Sequence, residues 1–202
     1  MPVRGRETTF AAVGKLRVSS KMSVFDLWLP IVVSGFATHI LSTIAWMLLP
    51  HHKPEWKQLP VEDEFLEWIS ERKVPADQYM IPFAQSPDQM NSDAYLQKQG
   101  KCKGMMVIWE TPPNIAKAVG LTLAFFFIAA FVIGYLASLA LLPGESFSRV
   151  IQFVTTVGLL AHCAAKFPHV FWFRRRIAME VLDGVVYAFA TGLIFALLWP
   201  AV

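Results

Sequence analysis

Charge is scarce in this sequence, and cysteine scarcer still. Asp, Glu, Lys and Arg make up only 16% of the 202 residues, against roughly a quarter in a soluble domain, so much of the chain is not built to face water. The formal net charge of +3 is too small to argue for a nucleic-acid partner. The only cysteines, Cys102 and Cys163, lack the paired spacing of a zinc site or a disulfide scaffold. Cys163, inside an apolar run, reads as a small packing residue. There is no glycine-rich phosphate loop, no nucleophile elbow and no zinc-protease helix motif. The chain is therefore expected to be non-enzymatic.

What it has in abundance is apolar surface. Hydrophobic residues reach 55%, with 16 Phe and 7 Trp, and the mean hydropathy is +0.45. Four stretches, residues 23–49, 115–142, 150–173 and 177–199, each exceed the roughly 20 apolar residues that cross a 30 Å hydrocarbon core as a helix. The expected fold is an all-α integral membrane protein with four transmembrane helices. The first stretch is too long for a signal-peptide core, and no small-x-small cleavage site follows it, so it reads as a retained helix.

Residues 1–22 form a basic tail carrying Arg4, Arg6, Lys15, Arg17 and Lys21. Residues 50–114 form a long extramembrane loop between the first and second spans. Within it, residues 61–72 read as a short helix, since Pro60 precedes them, Glu62, Asp63 and Glu64 load the first turn, and Phe65, Leu66 and Ile69 make a stripe. Residues 105–109 have the character of a short strand. Small residues recur every four positions in the fourth span (Gly184, Ala188, Gly192, Ala196) and in the second (Ala130, Gly134, Ser138), which lets helix backbones approach closely in lipid. Lys and Arg in the long loop and in Arg174, Arg175 and Arg176 outnumber those on the other side, which favours a cytoplasmic loop.

Ionisable side chains inside apolar spans are costly and demand a reason. His39 and His162 each lie ten residues from the loop-side end of their spans, about 15 Å deep at 1.5 Å per residue. If the first and third spans touch, the two imidazoles approach each other, and such a pair is what haem b or a chlorophyll-type pigment needs. The stronger expectation is no cofactor, with each His bonded to a nearby hydroxyl such as Ser42 or Thr43. Lys166 and Asp183 lie about 9 Å deep on helices joined by a short turn, which predicts an intramembrane ion pair closing the hairpin. His51, His52 and His169 gather near the loop-side surface and offer a metal-ligand set from a loop, although an interfacial anchoring belt explains them as well.

The run Trp46-Met-Leu-Leu-Pro50-His51-His52-Lys53-Pro54-Glu55-Trp56-Lys57-Gln58-Leu59-Pro60 resembles a family of bacterial four-helix inner-membrane proteins to which no activity is assigned. The likeness extends to Tyr79-Met80-Ile81-Pro82 and to Asp183-Gly184 through Leu198-Trp199-Pro200. It implies a multi-pass protein of the bacterial cytoplasmic membrane with one large loop. Functionally, the expectation is an accessory subunit whose partners are the lipid bilayer and other membrane-complex subunits. The alternatives are a small haem- or pigment-binding electron carrier and a proton-coupled transport component.

Overall fold

The computed structural model describes residues 22–201; the basic tail up to Lys21 lies outside the described residues. Four helical runs are long and apolar enough to cross a membrane: Val24–Leu48, Ile115–Ala140, Phe147–Phe173 and Ala178–Leu197. The ends expected from sequence shift by at most three residues, and those at Ile115 and Phe173 do not shift. Ser23 opens the first run. Its hydroxyl accepts from the Phe25 N–H at 3.2 Å while its own N–H donates to Asp26 Oδ2 at 2.8 Å, a capping box. Asn114 accepts from the Lys117 N–H at 2.9 Å to start the second.

Two of the runs are not uniform α-helix. The first passes from a 3-10 turn, Val24–Leu27, into α1, Trp28–Thr43, and leaves through a π-turn, Ile44–Leu48. The third comprises α6, Phe147–Leu159, a π-turn, Leu160–Ala164, and α7, Lys166–Phe173. Pro168 does not end this helix, because it falls in the first turn of α7, where backbone N–H groups have no intrahelical partner to lose. Arg174 then takes a left-handed conformation at φ 50° and stops α7.

The second run is α5, Ile115–Ala140, and the fourth is α8, Ala178–Leu197. Between the first and second runs lie α2, Glu62–Glu71, α3, Pro87–Met90, and α4, Asp93–Lys101. Strand β1, Gln78–Ile81, pairs antiparallel with β2, Gly104–Val107, with Gln78 opposite Val107 and Ile81 opposite Gly104. The strand expected at residues 105–109 thus exists, one residue earlier and shorter.

In the bundle α8 packs along α6 and α1, and α1 packs along α5. The first and third spans are therefore diagonal. The small-residue faces do the work expected of them. A Cβ on Gly158 would stand 3.0 Å from the Ala188 backbone, and one on Gly184 would stand 2.7 Å from Cys163 Sγ and 2.9 Å from the His162 carbonyl oxygen. Leu27, Ile31, Ile133, Val150, Val154 and Phe195 form a dry core toward one end. Hydroxyls there turn back on their own helices, as where Thr38 donates to the Ser34 carbonyl at 2.7 Å and Thr191 to Tyr187 at 2.8 Å, since lipid offers them no partner. The opposite end of the bundle is polar.

Candidate functional site

The first span leaves its helix at Pro50, which begins a 3-10 turn, Pro50–Glu55. Proline suits that position, since its ring presets φ and its missing N–H is no loss there. A 3-10 helix has three residues per turn, so side chains three apart eclipse. His52 and Glu55 are such a pair, and His52 Nδ1 lies 2.7 Å from Glu55 Oε2. The other ring nitrogen, His52 Nε2, lies 2.9 Å from Asp183 Oδ2 on α8, and His51 Nε2 lies 3.0 Å from Asp183 Oδ1. The two imidazoles stand 4.2 Å apart between centroids, and the Trp46 indole stacks on His52 at 3.8 Å and 12°. One carboxylate thus receives two adjacent histidines, and a second carboxylate backs one of them.

The cluster is enclosed except at His51, whose side chain is 22% exposed. His52 is 5% exposed and Asp183 7%. Burial alone would lower the His52 pKa, but its bonds and proximity to Glu55 and Asp183 outweigh this and hold it above the usual imidazole range. His51 Nδ1 and Glu55 Oε1 are buried without a hydrogen-bond partner among the described residues. One turn further along α8 the Tyr187 hydroxyl is buried without a hydrogen-bond partner among the described residues. Arg176 Nη1 donates to the Pro54 carbonyl at 2.6 Å and ties the far side of the turn to the α7–α8 connection.

Three expectations from sequence need correcting. The predicted Lys166–Asp183 ion pair is replaced by another pairing. Lys166 Nζ donates to the Glu180 carbonyl oxygen at 2.9 Å and lies 3.7 Å from Glu180 Oε2, while Arg175 holds Glu180 Oε1 at 3.2 Å. The helix register dictates this. Gly158 faces Ala188 and Cys163 faces Gly184, so three residues further along α7 the partner is one turn nearer the start of α8, at Glu180. Counting depth from the span ends ignored the π-turn and the left-handed stop at Arg174, and it missed by one turn.

The predicted approach of His39 and His162 is not formed either. Both rings pack on Phe126 of α5, at centroid distances of 6.3 and 6.0 Å, and His162 also meets Tyr187 at 5.9 Å. Among the described residues no ring contact or hydrogen bond joins the two imidazoles. Diagonal spans explain this: α5 and α8 stand between α1 and α6. Nor does His39 bond the nearby hydroxyls through its ring. Its Nδ1 is buried without a partner, and Thr43 donates instead to the His39 backbone carbonyl at 3.0 Å.

Third, the set His51, His52 and His169 is divided. His51 and His52 converge, but on Asp183, while His169 is exposed and packs at 4.5 Å, tilted by 45°, against Phe173 of its own helix. Sequence reasoning placed Glu55 and Trp46 in the distinctive run but gave neither a role beside the histidines. The i, i+3 spacing of His52 and Glu55 was the available signal for the first, had the segment been read as a 3-10 turn. No family model, curated protein or solved structure matches this chain.

Proposed function

We propose that this protein is a non-enzymatic accessory subunit of a larger membrane complex, spanning the bacterial cytoplasmic membrane four times and holding another subunit through the extramembrane segment between its first and second spans. One observation carries the reading. From Lys53 to Asn114 no residue is buried, although the segment contains three helices and a hairpin. Secondary structure normally buries an apolar face against something, and here Leu66, Trp68, Phe83, Val107 and Trp109 all lie exposed.

Charge favours protein over lipid as the cover. Helices that rest on anionic headgroups carry Lys and Arg on the polar face. Helix α2 carries Glu62, Asp63, Glu64, Glu67 and Glu71 and no base, so its polar face suits a basic partner surface. Site-specific photo-crosslinkers at Leu66, Phe83 and Trp109, activated in native membranes, test the proposal. Adducts of one discrete protein mass from all three positions are expected. Lipid adducts alone, or none, would contradict it.

A further inference from the structure

We infer that His51, His52 and Asp183 form a binding site for one divalent transition-metal cation of the Zn²⁺ class, which clamps the turn after the first span onto the fourth. The three side chains each offer one ligand atom, and these atoms lie within 4.8 Å of one another. Both imidazoles present Nε2 to the same carboxylate, at 3.0 and 2.9 Å. Ligands held 2.0–2.1 Å from a common ion stand about 3.3 Å apart in a tetrahedral set, and each imidazole already stands near that distance from its own Asp183 oxygen, His51 from Oδ1 and His52 from Oδ2. An ion entering replaces the two Nε2 protons that otherwise bond Asp183 and draws the two imidazoles together.

The surroundings fit as well. A metal-binding His characteristically donates its other ring N–H to a carboxylate, which fixes the tautomer and orients the ring. His52 Nδ1 has that partner in Glu55 at 2.7 Å, and the ring is held flat against Trp46. Asp183 is 7% exposed, so water competes little for it. Two imidazoles and one carboxylate suit zinc, ferrous iron or manganese rather than the soft ions that prefer thiolate. Among the described residues neither cysteine belongs to the group. The ion's remaining positions fall to water.

The test is titration of the detergent-purified full chain, stripped with a chelator, with Co²⁺ as a spectroscopic stand-in for Zn²⁺. Binding of about one equivalent is expected, competed by Zn²⁺, with an X-ray absorption shell of two imidazoles and oxygen donors and no sulfur. His51→Ala and Asp183→Asn should abolish the Co²⁺ bands. Glu55→Gln should weaken affinity about 10–100-fold, the usual effect of removing an outer carboxylate, and His169→Ala should leave it unchanged. Failure of the folded wild-type chain to bind would overturn the proposal, as would bands that survive in His51→Ala, or a shell containing sulfur or fewer than two imidazoles. If the ligand variants do not fold, the wild-type absorption shell decides by itself.

Discussion

Asp183 is the most consequential side chain in the bundle, because it receives two histidines from a segment more than 130 residues away in sequence. A buried charged group that loses its partner costs roughly 3–5 kcal/mol. Glu55 still holds His52 when Asp183 is removed, so Asp183→Ala should lower stability by less than that, about 1–3 kcal/mol, in a denaturant titration of the detergent-solubilised protein, and Asp183→Asn, which keeps an acceptor oxygen, by less again. The revised pairing makes a second, sharper prediction. Lys166→Met and Glu180→Gln should couple in a double-mutant cycle. Lys166→Met and Asp183→Asn should couple less strongly, since no ion pair or hydrogen bond joins those two side chains. Coupling of Lys166 to Asp183 instead of Glu180 would reinstate the pairing expected from depth alone.

At the scale of elements, the α6–α8 contact is set by glycine. Gly184 lies under Cys163 and the His162 carbonyl, and Gly158 under Ala188, so a β-branched side chain at either position has nowhere to go. Gly184→Val should cost about 1–3 kcal/mol by overpacking and loosen the adjoining Asp183 cluster, seen as faster hydrogen exchange in both the 3-10 turn and α8. Gly120, whose Cβ would meet open space, should tolerate alanine with little change.

These elements also mark how far the sequence could be read. The four spans, the small-residue faces and the acidic short helix were legible, because hydropathy and four-residue spacing report directly on burial. The pairing of ionisable groups was not. It depends on rotation and register, which two π-turns and the stop at Arg174 alter in a way that no hydropathy pattern records. Spatial order was equally hidden: placing α1 beside α6 was as compatible with four apolar runs as the observed diagonal. The 3-10 turn that aims His51 and His52 together leaves only the faint trace of a histidine and a glutamate three apart.

On the scale of the whole molecule the bundle is divided along its axis. One end is a dry core around Leu27, Ile133, Val150 and Phe195, where Trp199 donates to the Leu142 carbonyl at 3.0 Å. The other gathers Asp183, Glu180, Lys166, His51 and His52 and leads into the exposed segment from Trp56 onward. A segment that buries so little of itself draws its order from what it contacts, and elements with few buried contacts open locally at low free-energy cost. The most direct test is hydrogen exchange, followed by mass spectrometry, on residues 56–114 in native membranes and in the purified chain. Slow exchange in the membrane and fast exchange after purification is the result expected of a subunit that has lost its partner. Equally slow exchange in both would show that the segment is stable by itself and contradict the account.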